Sequence, residues 1–206
     1  MHIDILNNEQ KELLPFLSKY CKSYYLVGGT AIALHLGHRT SIDFDLFTIK
    51  KINSTLVKKH VATSGFSSQV IAQLPDQIHF IINEVKLTYF QFPFVVNAEL
   101  KYNNNFRIPD LLTLAAMKAF ALGGRGKWKD YVDLYFILKQ DITTQEISLK
   151  AKELFNDSFN PLLFLKQLSY FKDMNYQEQV EYMPGFEIDN DSIKKFLTET
   201  ALKGFF

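Results

Sequence analysis

Gly28-Gly29-Thr30 is followed, nine positions on, by Arg39-Thr40-Ser41-Ile42-Asp43-Phe44-Asp45. No other feature limits the fold as strongly. Tyr24-Tyr25-Leu26-Val27 reads as a short buried strand that ends at the glycine pair. Thr30 caps a helix running to Leu36, and Gly37 stops it. Ser41 to Phe47 alternates polar and apolar, which is the period of a second strand. Residues two apart on a strand share a face. Asp43 and Asp45 therefore point one way, while Ile42, Phe44 and Leu46 point the other way, toward a core.

Two neighbouring carboxylates repel unless a cation lies between them. Magnesium suits such a pair, because this hard cation takes carboxylate and phosphate oxygens together. Gly28 and Gly29 have no side chains, so backbone N–H groups can approach phosphate oxygens, and a helix start favours anions. Thr30 adds a hydroxyl. Arg39 and Ser41 stand where they touch phosphate or order the loop. A lone Gly-Gly is an ordinary turn, and Asp-x-Asp is common on exposed strands. In this order and spacing the combination is far more restrictive, and it points to a bound nucleoside triphosphate.

The 206 residues suit one domain, or one domain with a modest second lobe. Hydrophobic residues make up 47% of the chain, enough for a real core, and most of the 19 Phe and 10 Tyr belong in it. A net charge of +1 argues against a strongly basic nucleic-acid platform, though a local basic patch remains open. Cys21 is the single cysteine, which excludes an intrachain disulfide and a cysteine-rich zinc site. His35 and His38 read as structural. Met1-His2-Ile3-Asp4 lacks a secretory start, and no apolar run reaches the roughly 18 residues of a membrane span. Leu111 to Leu122 comes closest, and Lys118 interrupts it. The expectation is a soluble, cytoplasmic protein with no membrane contact.

Asn8 to Cys21 has the spacing of an amphipathic helix. Ile52 to Ser64 reads as a helix ended by Gly65. Strands follow at 69–72, 79–82 and 85–90, the last two joined by a turn at Asn83-Glu84. From Pro109, taken as a first helical position, the chain turns helical. Helices are expected at 111–122, 129–139, 146–155, 161–171 and 192–202, with a break at Gly123-Gly124-Arg125-Gly126. A lobe boundary falls near Asn103-Asn104-Asn105, dividing 1–105 from 106–206.

Residues 27–47 resemble the AbiEii/AbiGii toxin branch of the polymerase-beta-like nucleotidyltransferase superfamily. A second block, Leu114-Ala115-Ala116-Met117-Lys118 and then Arg125-Gly126-Lys127-Trp128-Lys129-Asp130-Tyr131-Val132-Asp133-Leu134, is similar to that branch's downstream Lys and Lys-Asp-(aromatic)-x-Asp-Leu motifs. The resemblance implies an α+β fold: a small mixed sheet flanked by helices, then a helical C-terminal lobe closing over the cleft. It also implies a magnesium-dependent enzyme that moves a nucleoside monophosphate from a triphosphate to an acceptor hydroxyl and releases pyrophosphate. RNA, especially transfer RNA, and protein are the implied acceptors, and an antitoxin protein is an implied partner.

By the same resemblance, Asp43 and Asp45 match the metal-binding pair, and Gly28, Gly29 and Ser41 match the phosphate-binding part. Lys118 matches a basic contact to the triphosphate. Asp130 matches a carboxylate pointing into the cleft, a candidate base. Arg125 and Lys127 would be neighbouring phosphate or acceptor contacts. Asp133, near the same helix face as Asp130, reads as a structural ion-pair partner of Arg39 or Lys118. The chain departs from the superfamily at one place: Thr88 stands where a third carboxylate is expected. That leaves open a nucleotide-binding regulatory module with a degraded site, and the near-neutral net charge leaves open an enzyme acting on a small, aminoglycoside-like acceptor.

Overall fold

A computed structural model describes residues 1–102, 106–124, 126–172, 174 and 176–204. The expected division near Asn103-Asn104-Asn105 falls outside the described residues. The helices are α1 (Asn8–Ser18), α2 (Gly28–Leu36), α3 (Ser54–Ala62), α4 (Leu111–Leu122), α5 (Trp128–Leu138), α6 (Thr144–Phe155), α7 (Pro161–Leu168) and α8 (Asn190–Lys203). The strands are β1 (Tyr25–Val27), β2 (Phe44–Thr48), β3 (Ser68–Gln73), β4 (Gln77–Ile82), β5 (Val85–Gln91), β6 (Leu100–Tyr102) and β7 (Phe106–Ile108).

The seven strands form one mixed sheet in the order β3-β4-β5-β2-β1-β7-β6. The β2–β5 and β1–β7 pairs are parallel, and the others are antiparallel. This is the expected α+β class. The sheet is larger than expected, because β6 and β7 add a second hairpin beyond β1. β7 lies in the sheet although it follows residue 105.

Alternation along β5 divides the core in two. Tyr89 points to the face covered by α1 and meets Tyr20 and Tyr24 edge-on, at 5.7 and 5.1 Å between ring centroids. Phe90, next along the strand, points to the other face and meets Phe47 at 4.9 Å. That second face carries the cleft described below. The β4–β5 turn has Asn83 and Glu84 at φ 49° and 65°. Two positive φ values in sequence are what a two-residue hairpin needs, and Asn83 tolerates that region better than most residues.

Four local expectations need correction. α1 stops at Ser18, short of Cys21. β2 begins at Phe44, so strand alternation does not reach Ile42, which is 58% exposed instead of facing a core. α2 begins at Gly28 with Val27 as its N-cap, so Thr30 lies inside the helix and caps nothing. Pro109 precedes α4 rather than opening it. Asp110 is the cap, and its carboxylate accepts the Thr113 N–H at 2.7 Å, a stronger start signal than Pro.

Candidate active site

β1 and β2 run antiparallel, with Val27 opposite Asp45. That register brings the start of α2 against the second carboxylate. Gly28 has φ +75°, and a Cβ there would overlap the Asp45 carboxylate. A Cβ on Gly29 would overlap the Arg39 guanidinium and come within 3.2 Å of Ser41 Oγ. Gly28 is called for by its positive φ, and both glycines leave room for the Asp45 and Arg39 side chains. For Gly28→Ala, the left-handed backbone alone should cost about 1–2 kcal/mol. Urea denaturation checks this; wild-type stability would mean that both the backbone and Asp45 adjust freely.

The loop before β2 is tied down from several sides. The Thr30 hydroxyl donates to the Asp43 carbonyl and lies 2.9 Å from Ser41 Oγ. The fully buried Gln10 donates from Nε2 to the Ser41 carbonyl at 2.8 Å. Residues 38–40 also pair with a later segment: Thr40 N–H donates to the Glu181 carbonyl, and Met183 N–H to the His38 carbonyl, at 2.9 and 3.1 Å. Thr30 and Ser41 thus hold the carboxylate loop.

Asp43 sits just before β2 and is half-exposed, with Lys86 Nζ 4.0 Å from its carboxylate. Burial pushes its carboxyl above the usual value; Lys86 opposes this and the Asp45 charge adds to it. The two carboxylates therefore act on each other electrostatically, and a shared cation relieves that repulsion. Both are hard oxygen donors, which fits magnesium. Among the described residues no group of three or more His, Cys, Asp or Glu gathers as a metal cage. A two-carboxylate site completed by phosphate oxygens and water matches that arrangement.

Arg39 is buried and grips Asp133 through both carboxylate oxygens, Nε to Oδ1 at 2.7 Å and Nη2 to Oδ2 at 2.9 Å. Its Nη1 donates to the Thr40 carbonyl at 2.8 Å. Of the two expectations for Arg39, it performs the ordering of the loop. Asp133 also meets His38 Nε2 and Lys118 Nζ, each at 2.9 Å. Burial alone would raise the Asp133 carboxyl, but Arg39 and Lys118 hold it well below the usual range. Burial likewise favours neutral His38, below its ordinary value, against the pull of Asp133.

Lys118, on α4, is buried and also bonds Asp130 at 2.8 Å. Burial would lower its ammonium, but Asp130 and Asp133 raise it instead. The structure thus joins Lys118 and Asp130 to each other and, through Asp133, to Arg39. Asp130 is only 2% exposed. Lys127 lies apart from this cluster, with Nζ 2.6 Å from Glu178, which also meets Lys129 at 3.6 Å. Arg125 lies outside the described residues.

A cleft of about 640 Å³ separates the sheet from α4. Gly28, Asp45, His79, Lys86, Thr88 and Lys118 supply its polar lining, while Phe47, Phe90, Phe94 and Phe120 are among its apolar walls. Sequence reasoning missed His79, Gln77 and Glu178 as neighbours of this site, and it gave Lys86 no role. The two-residue period of β4 was the available signal for Gln77 and His79. Glu178 lies in an irregular polar segment that carries no such signal.

The family model described as "Nucleotidyl transferase AbiEii toxin, Type IV TA system" matches residues 16–104 and 98–199. The chain is 29% identical over 203 residues to the uncharacterized protein aq_aa25 of Aquifex aeolicus (strain VF5), covering 94% of this chain and 97% of that one. Its fold is similar to that of JHP933 from Helicobacter pylori, with a TM-score of 0.63 and 18% identity over 96% of this chain and 90% of the other. It is also similar to MenT4, the nucleotidyltransferase toxin Rv2826c of Mycobacterium tuberculosis H37Rv, with a TM-score of 0.64 and 13% identity over 95% and 81%. No helix among the described residues is long and apolar enough to cross a membrane. With the matched segments running through most of its length, the chain belongs to the AbiEii nucleotidyltransferase toxin family.

Proposed function

We propose that this protein transfers a nucleoside monophosphate from a nucleoside triphosphate to an acceptor hydroxyl, with magnesium, as the cytoplasmic toxin of a bacterial toxin–antitoxin pair. The observation that carries this reading is that Asp45 on the sheet and Lys118 on α4 line one cleft from opposite walls. In this reading, residues 1–105 supply most of the sheet wall, which β7 extends, and the helices of 106–206 supply the facing wall. The acceptor in this reading is RNA, with transfer RNA foremost, or protein, and an antitoxin protein is the expected partner.

Asp43 and Asp45 would hold the metal. When bound, it neutralises charge on the triphosphate and on the departing pyrophosphate. Gly28 keeps the floor beside Asp45 low. Ammonium groups carry three N–H donors. Asp130 accepts one from Lys118 and Asp133 pairs with its charge at 2.9 Å, and we assign a further N–H to a triphosphate oxygen. Asp130 then serves by aiming Lys118. The half-buried Phe47, Phe90 and Phe94 offer faces for the nucleobase to stack on.

The test is incubation with α-labelled nucleoside triphosphates, magnesium and cell lysate or total RNA. Label should reach a macromolecule with wild-type protein, stop with EDTA, return with magnesium, and be absent with Asp43→Ala. No transfer by the wild type, or equal transfer by the variant, overturns the reading. Triphosphate binding without pyrophosphate release would point instead to a regulatory binding module. Label moving to an added aminoglycoside in preference to RNA would replace the acceptor and leave the enzyme.

A further inference from the structure

Asp45, Thr88 and His79 form a row across three neighbouring strands. Asp45 on β2 is the register partner of Thr88 on β5, and Thr88 is the register partner of His79 on β4. All three line the cleft. His79 Nδ1 lies 3.1 Å from Thr88 Oγ1, and its Nε2 lies 3.2 Å from Gln77 Oε1. An amide oxygen only accepts, so Nε2 carries the ring proton. Nδ1 then keeps its lone pair and accepts the Thr88 O–H. Gln77 thus fixes the tautomer that leaves Nδ1 basic toward Thr88.

We propose that Thr88 and His79 form the proton relay of the transfer reaction, in the place where this chain lacks a third carboxylate. The proposal rests on the nucleotidyltransferase reading above. The acceptor oxygen attacks the α-phosphorus, and a new O–P bond forms. The bond between the α-phosphorus and the bridging oxygen breaks, and pyrophosphate leaves with that electron pair. The acceptor's proton passes to Thr88 Oγ1 as Thr88 gives its own to His79 Nδ1. Threonine is restored and His79 becomes an imidazolium, which loses its proton to water after turnover.

The surroundings suit this role. Among the described residues, Lys86 on β5 and Lys118 on α4 are the cations lining the cleft with His79, and Asp45 on β2 is the anion. On its other side β3 (Ser68–Gln73) brings no charged residue. Burial lowers the His79 imidazole below its ordinary value, and Lys86 adds to this while Asp45 opposes it. The ring is therefore neutral, and able to take a proton, at pH 7. Asp130, the alternative base, is bonded to Lys118 at 2.8 Å and does not line the cleft.

The experiment compares His79→Gln, Thr88→Val, the double variant, and Thr88→Asp in the His79→Gln background, using labelled triphosphates, magnesium and lysate as above. Each single variant should lose about 10²-fold of the transfer rate, the scale of general-base catalysis. The double variant should lose no more than either single, because the two groups act as one unit. Triphosphate binding by calorimetry should stay within about threefold of wild type, since a base is not a binding group. Thr88→Asp should recover most of the rate lost by His79→Gln, because a carboxylate there takes the proton directly. His79→Gln at full rate, or additive losses in the double variant, would overturn the relay. Thr88 is buried, so His79→Gln, on a half-exposed side chain, carries the test if Thr88→Val does not fold. If wild type is active, Asp43→Ala is dead and His79→Gln is undiminished, the relay alone fails. If wild type itself transfers nothing, the relay fails together with the reading it rests on.

Discussion

Asp45→Asn should lower nucleotide transfer by about 10²–10³-fold, the cost of removing one well-placed electrostatic group from a reacting centre. Global stability should stay within about 0.5 kcal/mol of wild type. The second half of the expectation gives the first its meaning. Asp45 is half-buried on β2, and its charge is one cause of the raised Asp43 carboxyl. Asparagine keeps the shape beside Gly28 and removes that repulsion, so the fold loses nothing it depends on. Transfer assays and urea midpoints on the same preparation check both halves. Wild-type transfer by Asp45→Asn would remove the carboxylate pair from the mechanism. Lys118→Ala is a poorer probe. It strips a cation from two buried carboxylates, so any fall in rate is mixed with a fall in stability.

The framework of this site was readable in the sequence because each piece has a local signal. A buried strand, a glycine pair, a short helix and an alternating segment follow one another without a gap. Residues 111–122 are apolar on most sides, the pattern of a buried helix, so Lys118 upon it stood out. The purpose of the glycines was not readable. Backbone approach to phosphate is the general reason for such a pair, but here Gly28 and Gly29 make room for Asp45 and Arg39. That follows from the register of β1 against β2, a tertiary fact with no local trace.

Ile42 and Thr30 show the same limit. Two-residue alternation extends on paper to Ser41, but Gln10 and Thr30 hold residues 41–43 as a loop. The pairing of Asp133 was foreseen, because Asp133 follows Asp130 by three residues near one helix face. Arg39 or Lys118 was the expected partner; that Asp133 takes both, and His38 95 positions away as well, had no local trace. β6 and β7, at three residues each, are too short for any period to register.

Asp133→Asn should cost about 3–5 kcal/mol of stability, the scale for removing one partner from a buried ion pair. Asp133 is fully buried and is the meeting point of the Arg39, Lys118 and His38 side chains. Once its charge is gone, Asp130 is the remaining carboxylate bonded to Lys118, and Arg39 loses both of its carboxylate oxygens. The pH dependence identifies the cause. The folded carboxyl lies well below the usual range, so its contribution is complete above the unfolded value of about 3.9. It is lost progressively as pH falls from that value toward the lower folded one. The gap between wild type and Asp133→Asn should therefore show no loss of this contribution between pH 8 and about pH 5, and should narrow in acid below about pH 4. His38, buried with a lowered imidazole, adds a separate loss in wild type as pH falls below about 6.5. Urea denaturation across this range checks both windows. Asp133 raises the His38 imidazole, so in the variant that imidazole lies lower still and its loss in acid is at least as large; a gap that closed near neutrality would show that the Asp133 charge is not the cause. Arg39 also donates to the Thr40 carbonyl, three residues before Asp43. Loosening Arg39 should therefore reduce transfer even where the variant stays folded, because the Asp43–Asp45 pair proposed to hold the metal hangs from that loop.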